Sequence, residues 1–208
     1  MDLSVIIPHS NRVAELRATL ESFGPQADAI ELIVANVGDP IAADELPVRA
    51  RVWNGSGPWS LGRARNRGAA VATGERLFFL DCDITVGPDF AALAIERIGR
   101  KRGWAPIVRN SSSRHAADVK GYRTYGYGNV GVSSEDFADI GGFDELDGWG
   151  AEDWLFKWKC ERLRIRLFRD RSNLVHRDHD RKTTWHRLKV PSSVAQEIRR
   201  KWSPPPAR

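Results

Sequence analysis

Short apolar runs alternate with amphipathic stretches through the first half of the chain, and this alternation restricts the fold more than any other feature. Strands that need both faces covered, each followed by a helix-period segment, are satisfied by βα units around a mainly parallel sheet. Residues 3–8 form the first expected strand, and 12–22 carry Val13, Leu16 and Leu20 at helical spacing. Residues 30–35 are a second apolar run, closed by the turn signal Asn36-Val37-Gly38-Asp39, and 48–53 extend the sheet. The glycine-rich Gly55-Ser56-Gly57-Pro58 precedes an alanine-rich helix over 61–72, residues 76–80 return to strand, and Gly87-Pro88-Asp89 opens a helix over 90–100. From Trp104 onward the pattern breaks into scattered aromatics, glycines and charges, which predicts a less regular half. No linker separates the halves, so 208 residues are read as a single α/β domain.

A net charge of +5 and a pI near 9.5 favour anionic partners: nucleotide-sugar donors, nucleic acid or anionic lipid. Basic runs occur at Arg162-Leu163-Arg164-Ile165-Arg166 and Arg199-Arg200-Lys201, yet no recognised nucleic-acid motif accompanies them, so nucleic acid is not the expected partner. The basic tail, 191–208, could instead touch an anionic membrane surface. No apolar stretch approaches the ~20 residues of a membrane helix, and the chain enters a strand directly from its first residues, so a cytoplasmic protein is expected. Cys82 and Cys160 lie far apart inside packed elements and are read as reduced thiols.

Two acidic motifs carry the chemistry. In Phe78-Phe79-Leu80-Asp81-Cys82-Asp83 an apolar run ends in two carboxylates that share a face if the strand stays extended. Hard carboxylate oxygens suit Mn²⁺ or Mg²⁺. The plainer alternative is a strand-end turn with two solvated aspartates. In Gly148-Trp149-Gly150-Ala151-Glu152-Asp153 glycines permit close approach to the backbone, an indole offers a platform for a sugar ring, and a carboxylate can accept a proton. Here the plainer alternative is a pair of acids complementing the N-terminus of a helix over 154–163. His176 and His179, after an expected strand at 164–169, could complete a cation shell, which Mn²⁺ tolerates better than Mg²⁺.

At these residues the chain resembles a GT-A fold glycosyltransferase. Its first half, 1–103, is similar to family 2 enzymes and would bind the nucleotide sugar. Its second half, 104–190, is similar to the β-1,4-galactosyltransferase group and would bind the acceptor. The likeness rests on Ser4-Val5-Ile6-Ile7-Pro8, Leu61-Gly62-Arg63-Ala64-Arg65-Asn66-Arg67-Gly68, Asp81-Cys82-Asp83, and the run from Gly128-Asn129 through Gly141-Gly142-Phe143-Asp144 to Trp149-Gly150-Ala151-Glu152-Asp153. The resemblance implies Asp153 as catalytic base, with Trp149 and Glu152 on the acceptor. It implies Asp83 as the main cation ligand, with His176 or His179, and Asp81 on the donor ribose or the ion. Pro8, Asn36, Arg63, Arg65, Asn66 and Tyr125 would face the donor. Arg63 and Arg65 are weighed equally as phosphate contacts and as solvated helix arginines. Many family 2 members carry an acidic pair where this chain has Asn36-Val37, which weakens the case for a uridine donor. The implied reaction is an inverting transfer to a glycan or small-molecule hydroxyl. A non-catalytic carbohydrate- or nucleotide-sugar-binding module of the same fold is the alternative.

Overall fold

Residues 1–110, 127–148 and 150–177, with 193, 196, 197 and 200, are described in a computed structural model. The expected βα units form as β1 (Leu3–His9), α1 (Val13–Glu21), β2 (Glu31–Val37), β3 (Arg51–Gly55), α2 (Leu61–Val71) and β4 (Arg76–Phe79). β1 pairs in parallel with β2 on one side and β4 on the other, and β3 extends the sheet beyond β2. β5 (Ile84–Thr85), α3 (Phe90–Arg97), β6 (Arg102–Trp104) and β7 (Ile107–Asn110) follow. Then come β8 (Val130–Ser133), α4 (Ser134–Ile140), α5 (Glu152–Arg162), β9 (Arg166–Phe168) and β10 (Arg171–His176). Among the described residues the strands make a seven-stranded sheet, β3-β2-β1-β4-β8-β6-β9, and a three-stranded sheet, β5-β10-β7. The α/β architecture with a mostly parallel central sheet is therefore the one the alternation predicts.

Both faces of the main sheet are covered, which is why its central strands read as unbroken apolar runs. Val5, Ile7 and Phe78 pack with Leu16, Leu20, Phe90 and Trp104 on one face. Ile6 and Phe79, one residue out of step, pack with Ala64, Phe143 and Phe156 on the other. Phe143 stacks on Phe156 at 4.2 Å, which ties the loop after α4 to α5.

Several expectations are corrected. The second half is more regular than its sequence predicts: β8 lies antiparallel between β4 and β6, so both halves share one sheet. Asn36 and Val37 continue β2 rather than starting a turn, because Asn36 is locked in register between His9 of β1 and Asn54 of β3. α3 stops at Arg97, after which Gly99 and Arg102 exchange backbone hydrogen bonds around Lys101 at φ 58°. Asp81-Cys82-Asp83 is not extended: β4 ends at Phe79, and the Ile84 N–H donates to the Asp81 carbonyl at 3.1 Å, closing a turn. The two carboxylates therefore leave the sheet edge toward different partners. Both cysteines are free and buried. No helix among the described residues is long and apolar enough to cross a membrane.

Candidate active site

Open α/β sheets place ligands beyond the carboxyl ends of their strands, and the acidic motifs gather at that edge. Ser60 caps α2 by accepting the Arg63 N–H at 3.2 Å, and the next turn directs Arg65 inward, where it is fully buried. Arg65 Nη2 donates to Asp81 Oδ1 at 2.9 Å and to the Gly128 carbonyl at 3.0 Å, while Nη1 donates to Glu152 Oε1 at 3.1 Å. One guanidinium thus joins the two acidic motifs. The expectation of a solvated helix arginine is corrected: the guanidinium lies buried between two carboxylates.

Asn129 holds Asp81 from the other side, accepting its N–H at 2.9 Å and donating to Oδ2 at 3.3 Å. A Cβ at position 128 would stand 2.9 Å from Asp81 Oδ2, so any larger residue would have to shift that carboxylate. Desolvation pushes the Asp81 carboxyl above its usual range and Arg65 opposes the shift, while the charges of Asp83 and Asp153 add to it. Its side chain nevertheless keeps 34% of its surface exposed, so it remains reachable from outside. Glu152 is also pushed up by desolvation against the pull of Arg65.

The second motif is pinned to the start of α2: the Gly148 N–H donates to the Trp59 carbonyl at 2.7 Å, and the Leu61 N–H to the Gly148 carbonyl at 3.0 Å. Gly148, Gly150 and Ala151 have φ of 100°, 89° and 73°, and this left-handed run turns the chain into α5. As a result Glu152 points into the interior, with 4% of its surface exposed, toward Arg65. Asp153 stays partly exposed, its Oδ2 accepting the Tyr127 N–H at 3.0 Å and its Oδ1 the Trp154 N–H at 2.8 Å.

Asp83 lies against a third group. Its Oδ2 accepts from Arg12 Nη1 at 2.9 Å and is 3.5 Å from His176 Nε2, and its carbonyl accepts the Arg177 N–H at 2.9 Å. His9 sets the turn that carries Arg12: its Nε2 accepts the Arg12 N–H at 2.9 Å, and its Nδ1 lies 2.8 Å from Asn36 Oδ1. Beside this turn a cavity of about 250 Å³ opens, lined by His9, Asn11, Arg17, Asp39, Ile41 and Glu45.

The other donor-side expectations fall elsewhere. Asn36 is fully buried, and both its N–H bonds are occupied, by the Asp39 carbonyl and Asn54 Oδ1 at 2.8 Å each, so it has no donor to offer a base. Pro8 lies within β1 opposite Ala35. Asn66 clasps the backbone of Phe143, and Arg63 reaches Glu145 and Asp147, so both hold the 143–147 loop instead of facing Asp81. Trp149, Tyr125 and His179 lie outside the described residues. Sequence reasoning missed Arg12 and the role of Asn129; the available signals were the polar His9-Ser10-Asn11-Arg12 turn after β1 and the Gly128-Asn129 pair before β8.

Among the described residues no three His, Cys, Asp or Glu side chains form a cation cluster. Asp83 and His176 supply one carboxylate oxygen and one imidazole nitrogen side by side, a mixed set that suits Mn²⁺. The residues present therefore fit a cation in part, with other ligands still required.

The family model for glycosyl transferase family 2 matches residues 4–125. No curated protein matches the chain. Among solved structures, S. aureus TarS 1-349 in complex with UDP-GlcNAc superposes with a TM-score of 0.70 at 20% identity, over 97% of this chain and 65% of that one. GalNAc-T7 with UDP, GalNAc and Mn²⁺ superposes with a TM-score of 0.63 at 19% identity, over 87% of this chain and 44% of that one. At these identities the likeness establishes a shared fold. The chain spans less than two thirds of the length of either relative.

Proposed function

Because the chain belongs to glycosyl transferase family 2, we propose that it moves a hexose or N-acetylhexosamine from a nucleoside-diphosphate donor to a hydroxyl of a glycan or small acceptor. The observation that carries this reading is the buried Arg65, which joins Asp81 of the first acidic motif to Glu152 of the second. Asp153 follows Glu152 in the first turn of α5, and its charge acts on Asp81.

Asp153 takes the proton of the acceptor hydroxyl, whose oxygen attacks the anomeric carbon as the bond from that carbon to the diphosphate oxygen breaks. Attack from the opposite face inverts the anomeric centre. The transition state spreads positive charge over the sugar and negative charge over the diphosphate, so positioning and electrostatics supply most of the rate. A divalent cation held by Asp83 and His176 or His179 would supply neutralisation of the leaving diphosphate. Trp149 stacks on the acceptor ring, and Tyr125 helps to choose the hexose, as in the galactosyltransferase resemblance. Glu152 acts through Arg65 by holding Asp81. A UDP-linked donor is supported by the ligands of the structural relatives, UDP-GlcNAc in TarS and UDP with GalNAc and Mn²⁺ in GalNAc-T7. The basic 191–208 tail would lie against anionic lipid, a reading supported by its charge.

A panel of nucleotide sugars incubated with the protein and MnCl₂, with release of nucleoside diphosphate as the readout, tests the reading. Turnover of one UDP-sugar that stops with EDTA and returns with manganese is the expected result. Binding of a donor with no hydrolysis or transfer under any acceptor would instead identify a binding module.

A further inference from the structure

Asn110 ends β7 with only 6% of its surface exposed, and among the described residues neither its Oδ1 nor its Nδ2 has a hydrogen-bond partner. Buried amides are almost always paired, because an unpaired one forfeits its hydration without compensation. An occupant from outside the polypeptide would repair that loss, and the position of Asn110 says which. Asn110 is the cross-strand partner of His176 in the parallel β7–β10 ladder, and such partners project from the same face of a sheet at roughly 5 Å. Val108 and Leu174 occupy that face farther down and lie in the core. Asn110 and His176 therefore stand together at its carboxyl end, where His176 Nε2 is 3.5 Å from Asp83 Oδ2.

We propose that Asn110 is a third protein ligand of the divalent cation assigned to Asp83 and His176, with Oδ1 toward the metal and Nδ2 toward an anionic oxygen of the bound diphosphate. The inference rests on the cation reading given above. An amide oxygen is a hard, neutral ligand that Mn²⁺ and Mg²⁺ both accept. It adds a ligand without adding negative charge beside Asp81 and Asp83. The three side chains come from separate elements, β7, β10 and the turn before β5, so the small sheet acts as the frame that brings them together.

MnCl₂ titrated into the full chain with UDP present, followed by loss of the free-manganese EPR signal, reads cation affinity with no turnover. Wild-type protein should bind and Asp83→Asn should not. Asn110→Leu, close in shape but without polar atoms, should bind manganese about tenfold more weakly or worse. Without the cation it should unfold at an equal or higher temperature, since no amide is left unpaired. Asn110→Asp, which keeps the oxygen and adds charge, should bind more tightly than wild type. Unchanged affinity in Asn110→Leu, with binding still lost in Asp83→Asn, overturns the role of Asn110 and leaves the cation site standing. Wild-type protein that binds no manganese, or binds it independently of Asp83, overturns the cation reading and this inference together. If Asn110→Leu does not fold, Asn110→Asp decides: affinity equal to wild type overturns the proposal.

Discussion

Asp153 is oriented by two backbone N–H groups, those of Tyr127 and Trp154. Asparagine in its place would keep one acceptor oxygen and the side-chain shape while losing the proton acceptor. Asp153→Asn should therefore lower kcat by about 10²–10⁴-fold with UDP affinity unchanged, measured by transfer kinetics beside calorimetric titration; near-normal turnover would remove Asp153 as the base. His9 gives a second prediction. The Arg12 backbone N–H can only donate, so His9 Nε2 is its acceptor, and Nδ1 carries the proton toward Asn36. Burial holds this imidazole below its ordinary value of 6.5. A histidine with a lowered folded pKa binds fewer protons folded than unfolded, so stability is fully present above 6.5 and declines as pH falls through the window below it. Thermal unfolding should show that decline, and His9→Gln should flatten it; an equal slope in the variant would refute the assignment. The acids and His176 were visible as motif residues in the sequence. The burial of Arg65 was not, because Arg63, Arg65 and Arg67 read alike as a basic helix start, while the partners of Arg65 lie 16 and 87 residues away.

Among the elements, α2 carries the most consequence for the site, since it presents Arg65 and abuts the loop leading to the second motif. That contact is close: a Cβ at Gly62 would stand 2.2 Å from the Asp144 backbone carbonyl, which no rotamer change can relieve. Gly62→Ala should cost about 1–3 kcal/mol in urea unfolding and lower activity further by displacing the loop that leads into α5 and Asp153. A variant as stable and active as wild type would mean that this packing is looser than described. The long elements of the first half were legible, because their periodicity extends over enough residues to separate helix from strand. β6 and β9 are three residues long and β7 and β8 four, too short for alternation to register, and their pairing across the sheet is a tertiary property. The same limit explains the Asp81-Cys82-Asp83 turn: the apolar run announces the strand but not where it ends.

For the molecule as a whole, the edge opposite the site is fastened by Glu31. Burial raises its carboxyl, but hydrogen bonds from Ser4, the Thr73 N–H, Arg51 and the Thr73 hydroxyl outweigh burial and hold it below its usual range. A depressed carboxylate contributes stability above its unfolded pKa, near 4.5, and loses it as pH falls toward the folded value. Acid unfolding should therefore steepen below that pH, and Glu31→Gln should remove the extra slope while costing on the order of 1–3 kcal/mol at neutral pH; a variant with the wild-type acid profile would assign the steepening to other groups. Fold class and the parallel core of the main sheet were legible in the alternation of the first half, whereas the joining of the halves through β8 and the separate β5-β10-β7 sheet were not. The account depends on the two acidic motifs serving one cavity with a cation beside them. The most direct test is the manganese anomalous signal from crystals grown with UDP and MnCl₂. A single peak within bonding distance of Asp83 and His176, with the diphosphate between it and Asp153, is the predicted result. A peak away from both residues, with Asp83 still paired to Arg12, would contradict the account.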